Sequence, residues 1–274
     1  MSFLLVDRIT EFVPGLRASG QLVIPDDVPD FPLSLVVEAV GQLAAYVAME
    51  STDFSMRPVA AIAGEVVSAR AIAPGDQVAL SIEVRALRGT AMRYGGLARV
   101  GGRTAVELHR CTGAMLPMDA FDDPENVRRQ LRMLKAGGAP ARRFPSRAEF
   151  APDVTETRSE VPGRLSATLV APAQAAFYAD HFPRRPVYPA TLLLDAKIAI
   201  AQNLIGRTRP DGAAPPAIRA VHSVKVRAFT PPGGRVEVVT EEIDTAPEDS
   251  GRLVRMEAFA QGERVSTASV LLEA

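Results

Sequence analysis

The sequence contains no tryptophan, one cysteine and only three histidines among its 274 residues. A single cysteine excludes an internal disulfide and a cysteine-based zinc cluster, so we expect Cys111 to be a small buried apolar residue. The formal net charge is −1, and aromatic residues make up 5% of the chain. Nucleic-acid binding calls for a basic surface with stacking rings, so we expect no such partner.

Long uninterrupted hydrophobic runs are also missing. The stretch MSFLLVDRITEF has no basic start and reaches Asp7 early, so it does not predict a secretory signal. The longest apolar run, from Leu33 to Met49, carries Glu38 and Gln42 in its interior, so it does not predict a membrane span. We therefore expect a cytoplasmic protein that does not enter a membrane.

What the sequence does contain is an internal repeat. Residues 27–49, DVPDFPLSLVVEAVGQLAAYVAM, and residues 184–206, RRPVYPATLLLDAKIAIAQNLIG, each place two prolines before a long apolar helix. An acid stands six residues after the second proline in both copies: Glu38 in the first copy and Asp195 in the second. Further on, APGDQVALSIEV and PPGGRVEVVTEE each predict a Pro-Gly turn followed by a strand with alternating apolar residues. The repeat predicts two copies of one unit, a long helix followed by an antiparallel sheet.

The repeat also sets the expected domain boundaries. The first domain spans residues 1–119, a connector spans residues 120–153, and the second domain spans residues 154–274. The start of the connector predicts a short helix that is capped by Asp123 and has Pro124 at its first position. After AGGAP the connector is expected to be extended and basic.

The second copy carries the motif HFPRRPVYPATLLLDA, from His181 to Ala196. This motif resembles the signature of the hot-dog-fold β-hydroxyacyl-acyl-carrier-protein dehydratases. The stretches FLLVDRITEFVPG, VVEAVGQLA and APGDQVAL of the first copy are similar to other parts of the same unit. The resemblance implies an α+β protein of two fused hot-dog domains, each an antiparallel sheet wrapped around one long central helix.

The resemblance also implies an activity. A family member is a hydro-lyase that removes water from a β-hydroxyacyl thioester of acyl carrier protein or coenzyme A. The product is a trans-2-enoyl thioester, and the reaction belongs to fatty-acid or polyketide-type metabolism. The resemblance implies neither a metal nor a redox cofactor. A histidine is suited to remove the proton beside the thioester carbonyl, and a carboxyl group in an apolar tunnel is suited to protonate the departing hydroxyl.

In this family the histidine of one unit pairs with the carboxylate on the helix of its neighbour. Carried over to this chain, the pairing predicts one complete site, His181 with Glu38, because the first copy has no histidine at the matching position. Asp195 is then left without a histidine partner, and it is the less favoured candidate for the catalytic acid.

The same resemblance implies four substrate-binding positions, Gln42, Val187, Pro189 and Ala190. Ala190 replaces a family glycine, but its backbone N–H still opens the helix and can hold the thioester oxygen. Gln42 resembles a family glutamine that orients the acid.

Two other functions remain open. One is a hot-dog acyl thioesterase, which would use the same carboxylate and helix end to activate water against the thioester carbonyl. The other is a non-catalytic acyl-binding or scaffold protein, which stays open because of the missing histidine and the replaced glycines. Association of the chain into a homo-oligomer also remains open.

The connector carries the one local cluster of basic residues: Arg128, Arg129, Arg132, Lys135, Arg142, Arg143 and Arg147. Acyl carrier proteins are acidic, so such a cluster would steer one toward the tunnel. The alternative is a solvated helix and linker without a partner.

Overall fold

The computed structural model describes residues 3–28, 30–140, 147–158, 161–210, 212–243 and 251–273. Alternation of apolar and polar residues builds its strands. In the segment Gln77–Arg88, for example, Val78, Leu80, Ile82 and Val84 are buried, and the residues between them are more exposed. One face of each such strand therefore packs on a core.

Each half of the chain supplies six strands and one long helix within the described residues. The first half forms β1 (Arg8–Val13), β2 (Arg17–Val23), α1 (Leu33–Ser51), β3 (Met56–Ser68), β4 (Gln77–Arg88), β5 (Ala91–Val100) and β6 (Arg103–Pro117). Between the halves lie α2 (Pro124–Ala136) and α3 (Arg147–Phe150). The second half forms β7 (Asp153–Arg158), β8 (Arg164–Val170), α4 (Ala190–Gly206), β9 (Ile218–Val226), β10 (Arg235–Ile243), β11 (Gly251–Ala260) and β12 (Glu263–Glu273).

The strands of the described residues form one sheet in the order β1-β2-β4-β5-β6-β3-β9-β12-β11-β10-β8-β7. Read from either edge, the order of the elements is the same. The two halves meet where β3 pairs with β9 in antiparallel register, with Ile62 opposite Lys225 and Val66 opposite Val221. The chain is thus an internal dimer whose halves share one continuous antiparallel sheet.

Each sheet half wraps around its own long helix. Helix α1 packs against β2, β3, β4 and β5, helix α4 packs against β8, β10, β11 and β12, and the two helices contact each other. The approach of α1 to its sheet is close, because a Cβ atom on Gly96 would overlap the side chain of Val40. This is the expected fold, two fused hot-dog domains of the α+β class.

By length and composition α1 could cross a membrane, with a mean hydropathy of 1.4 over its most apolar window. However, 61% of that window is buried inside the protein, as in the core helix of a globular fold. Glu38 and Gln42 both face a cavity described below. The helix is therefore part of the core.

Local signals in the connector and the hairpins are confirmed. Asp123 caps α2 by accepting a hydrogen bond from the N–H of Glu125, and Pro124 is the first helical residue. The β11–β12 hairpin turns at Gln261 and Gly262, which both have positive φ angles, a backbone conformation favoured in tight hairpins. The boundaries at residues 119 and 153 stay a prediction.

Helix α4 buries a lysine that the sequence did not single out. Lys197 is 1% exposed, and its Nζ donates a hydrogen bond to Oγ of Ser266 at 2.8 Å. Burial disfavours the charged amine and lowers the pKa of Lys197 to about 7. The amine lies in the core of the second half and is not among the residues that line the cavities described below.

Candidate active site

The loop before α4 holds His181 in a defined orientation. Its backbone N–H donates to the carbonyl of Phe177 at 2.9 Å, and its Nδ1 lies 3.1 Å from the carbonyl oxygen of Val187. A carbonyl oxygen only accepts hydrogen bonds, so Nδ1 carries the proton. In the neutral ring, Nε2 therefore keeps its lone pair free to act as a base.

Aromatic side chains enclose the imidazole. The Phe182 ring stacks on it with 4.2 Å between centroids, and the Phe3 ring meets it edge-on at 5.5 Å. Burial disfavours the imidazolium and lowers the pKa of His181, although the charge of nearby Glu38 acts in the opposite direction. His181 is therefore neutral at neutral pH.

The carboxyl group of Glu38 comes to this place from the other half of the chain. The hydroxyl of Thr191 donates to Oε2 of Glu38 at 2.9 Å, and the Gln42 amide donates to Oε1 at 3.0 Å. Gln42 is itself fixed, because its Oε1 accepts from the N–H of Leu5 and its Nε2 donates to the carbonyl of Phe3, both at 2.8 Å. Both carboxyl oxygens are thus held by residues whose own orientation is set.

Glu38 and His181 line one cavity of about 190 Å³ between the two halves. Most of its wall is apolar, with Val66, Met92, Leu108, Leu193, Leu194 and Val224 among the lining residues. Tyr94 and Cys111 also line it, and their side chains are hydrogen-bonded to each other. As expected, Cys111 is fully buried, and burial raises its pKa to about 11. The cavity is suited to an apolar chain that carries a reactive group to Glu38 and His181.

The first turn of α4 opens onto this cavity. The first N–H groups of a helix have no partner within the helix, and here Ala190 and Thr191 have no acceptor among the described residues. Ala190, Thr191 and Val187 line the cavity, whereas Pro189, which precedes the helix as its N-cap, does not. The helix start therefore offers free N–H donors, and the positive end of the helix dipole, to a carbonyl oxygen.

Asp195 lies elsewhere. It lines a separate cavity of about 180 Å³ with Tyr188, Ala199 and Asn203, and no histidine is among the described residues that line this second cavity. The structure therefore brings Glu38, Gln42, Val187 and Ala190 together with His181, and it does not bring Asp195 to them. Among the described residues no group of three or more potential ligands is placed to hold a metal ion.

Several polar residues of the cavity that Glu38 and His181 line were not predicted from the sequence. Thr191 follows Ala190 in the motif, and the signal that could have found it is a hydroxyl one residue into the helix, which can donate a hydrogen bond to an acid. Tyr94 and Arg57 lie on strands of the first half, where no motif marks them. Asp180 was also missed; its Oδ2 accepts a hydrogen bond from the N–H of Phe3 at 2.8 Å.

The connector arginines are only partly available to a partner. Arg128 pairs with Asp53 and Glu125 at 2.8 and 3.1 Å, and Arg132 pairs with Glu125 at 2.8 Å. Arg129 is exposed and donates to Asn126. The Nζ atom of Lys135 lies 3.7 Å from Oε1 of Glu50. Arg142 and Arg143 lie outside the described residues, and the side chain of Arg147 is not described.

Comparison with known proteins gives the same family for the second half of the chain. The model of the FabA-like domain matches residues 152–269. The chain is 36% identical over an alignment of 118 residues to the 3-hydroxyacyl-[acyl-carrier-protein] dehydratase FabZ of Bacillus licheniformis, and the match covers 38% of this chain and 81% of that protein. The FabZ of Bacillus subtilis (strain 168) is also 36% identical over 118 residues, with 39% and 83% covered.

Solved structures resemble the whole chain. The dehydratase domain of the polyketide PpsC from Mycobacterium tuberculosis superimposes with a TM-score of 0.55 at 15% identity, covering 98% of this chain and 97% of that one. An acyl-ACP thioesterase from Bacteroides thetaiotaomicron gives a TM-score of 0.59 at 14% identity, covering 94% and 98%. At such low identity, these likenesses show the fold alone, which serves dehydratases and thioesterases alike.

Proposed function

Because the chain belongs to the 3-hydroxyacyl-[acyl-carrier-protein] dehydratase family, we propose that it removes water from a β-hydroxyacyl thioester to give a trans-2-enoyl thioester. The observation that carries this proposal is that one apolar cavity is lined both by Glu38 from one half and by His181 from the other. We further propose that this is the only dehydration site of the two-domain chain.

In the proposed reaction the acyl chain lies in the apolar part of the cavity, with the thioester oxygen on the N–H groups that open α4. Nε2 of His181 takes a proton from C2, and the negative charge that develops on the thioester oxygen is stabilised by those N–H groups. The bond from C3 to oxygen breaks, and the carboxyl group of Glu38 gives the departing hydroxyl its proton, so that water leaves. The proton that Nε2 of His181 took from C2 then passes to Glu38, so that the imidazole is again neutral and the carboxyl group is again protonated.

The hydrogen bonds around the pair support these roles. Thr191 and Gln42 hold the carboxyl group of Glu38, and the Val187 carbonyl keeps the proton on Nδ1 of His181. Thr191 and Gln42 act here as positioning residues. Since Thr191 belongs to the second half and Glu38 to the first, the bond between them also fixes one half relative to the other.

The direct test is hydration of the enoyl product, which is the same reaction in reverse. Purified protein mixed with crotonyl-coenzyme A is expected to remove the enoyl absorbance and to form the 3-hydroxybutyryl thioester, without free thiol. Release of free thiol from an unhydrated substrate would show a thioesterase instead. Binding of the thioester with no chemical change would show a non-catalytic acyl-binding protein.

We also propose that the acyl group arrives on an acidic carrier protein that docks near the loop of His181. Arg184 and Arg185 on this loop are exposed; Arg184 donates to the carbonyl of Asp119, and the Arg185 guanidinium lies 4.8 Å from the Phe229 ring. Phe229 lines the catalytic cavity, so these arginines flank it. Among the described residues Arg184 and Arg185 form no ion pair, unlike Arg128 and Arg132 on α2.

Charge reversal tests this docking surface. Arg184→Glu with Arg185→Glu is expected to raise the KM for a carrier-bound substrate roughly tenfold or more, by removing electrostatic attraction. The KM for an N-acetylcysteamine thioester should not change, since it has no carrier. Arg128→Glu with Arg132→Glu is the matched control on α2. An unchanged KM in the loop variant would refute docking at this surface.

A cytoplasmic location and further association of the chain stay predictions.

A further inference from the structure

Arg57 brings a guanidinium group to the wall of the catalytic cavity. It is the second residue of β3, and its side chain is 16% exposed. Within the described part of the chain it makes one hydrogen bond, from Nη1 to Oδ2 of Asp122 at 3.3 Å, and its Cζ lies 4.4 Å from the centre of the Phe182 ring. A guanidinium has five N–H donors, so most of those of Arg57 are unused.

These unused donors are not sealed in the core, because no nitrogen of Arg57 is among the fully buried polar atoms of the described residues that lack a hydrogen bond. A charged group that is largely removed from water still gains stability from a hydrogen-bond acceptor. The single bond to Asp122 is also long for a charge-assisted one. Planar donors that face a cavity are an arrangement that binds a carboxylate or carbonyl oxygen. The position therefore calls for an acceptor on the ligand.

The location of Arg57 limits which part of a ligand it can meet. The guanidinium of Arg57 lies over the Phe182 ring, and the Phe182 ring stacks on the imidazole of His181 with 4.2 Å between centroids. The Phe182 ring therefore contacts both Arg57 and His181, which places Arg57 close to the proposed reaction centre. The phosphate of a phosphopantetheine arm lies at the far end of that arm from the thioester, so the acceptor must be a group much closer to the sulfur.

We propose that Arg57 binds a carbonyl or carboxylate oxygen that the substrate carries close to its thioester. The proposal rests on the proposed function and adds a substrate feature to it. Two parts of a substrate could supply this oxygen: the amide of the thiol arm nearest the sulfur, or a carboxylate on the acyl chain. Asp122 holds the guanidinium in place, and Phe182 supports its plane.

Four thioesters separate these sources in the hydration assay. The crotonyl thioester of ethanethiol carries neither group, and the crotonyl thioester of N-acetylcysteamine carries only the amide. The other two are thioesters of the same two thiols with a trans-2-enoyl acid that ends in a carboxylate, so each of them adds the carboxylate. Arg57→Gln is expected to lower kcat/KM roughly 10- to 100-fold for thioesters that carry the recognised oxygen, as for the loss of a hydrogen bond to a charged group. Crotonyl ethanethiol should be unaffected. The pair of substrates that loses rate identifies the source.

Two further variants separate recognition from structure. Asp122→Asn removes the ion pair but keeps the guanidinium and an acceptor for its Nη1, so it should show a smaller loss than Arg57→Gln, on the same substrates. Arg57→Lys keeps the charge but not the planar donors, and it should show an intermediate loss on the same substrates as Arg57→Gln. An equal loss on all four thioesters, or no loss on any, would overturn the proposal.

A binding measurement keeps this inference separate from the reaction itself. Saturated thioether analogues of the same four compounds cannot be hydrated or hydrolysed, and their affinity is measured by calorimetry on folded wild-type and Arg57→Gln protein. Weaker binding only for analogues with the recognised oxygen supports the role of Arg57, even if the protein hydrates none of the thioesters. Equal affinities in both proteins contradict it, whatever the activity.

Discussion

Replacement of Glu38 by glutamine is expected to lower kcat/KM for crotonyl thioester hydration by roughly 10²- to 10⁴-fold, the usual contribution of a general acid or base. Glutamine has nearly the same shape, and it can still accept hydrogen bonds from Thr191, but it cannot take the proton of the attacking water, as Glu38 does in the hydration direction. Substrate affinity should change little, because the apolar wall of the cavity is untouched. The loss should therefore appear in kcat.

Asp195→Asn is the matched control for this prediction. Asp195 occupies the corresponding position on α4 but lines the second cavity, so its amide variant should keep most of the activity. Thermal unfolding of both variants shows whether either change disturbs the fold. If Asp195→Asn lost as much turnover as Glu38→Gln, or more, the assignment of the acid to Glu38 would be wrong.

Replacement of His181 by alanine is expected to cause a loss of similar size, again roughly 10²- to 10⁴-fold in kcat/KM. The wild-type pH profile provides a second signature. In the dehydration direction His181 is the base and must be unprotonated, so that rate falls as the pH drops through the pKa of His181. Burial lowers that pKa below the ordinary value of 6.5, so the acid limb of kcat/KM should lie below pH 6.5.

The residual activity of His181→Ala should not show this acid limb. His222→Ala is the control, since His222 lies on β9 near Glu65 and is not among the residues that line the catalytic cavity. It should keep both the rate and the pH profile of the wild type. An acid limb that persists unchanged in His181→Ala would mean that another group titrates there.

Much of the fold could be predicted because its signals are local or repeated. The two prolines before α1 and α4, the alternation in β4 and β10, and the turns between hairpin strands each depend on a few neighbouring residues. Their recurrence in both halves indicated a duplicated unit. The pairing of β3 with β9, which joins the halves, has no such local signal, and it was not predicted from the sequence; the resemblance implied only that the two units pack side by side.

The site was predictable to a smaller extent. The motif around His181 pointed to one partner of the pair, and the missing histidine of the first copy pointed to Glu38 as the other. The hydrogen bond from Thr191 to Glu38 joins residues 153 positions apart, and no sequence pattern reports such a contact. Arg57 and Lys197 are also single polar residues in apolar segments, whose burial depends on packing from distant parts of the chain.

The antiparallel seam between β3 and β9 has a consequence for how such a protein can change. In an assembly of two identical subunits, every substitution appears twice and alters two equivalent sites together. Once both units lie in one polypeptide, each can vary alone. Under the proposed pairing, this chain has used that freedom: one unit has no imidazole at the matching position, the carboxylate of the other lines a separate cavity, and the mixed site needs one residue from each unit.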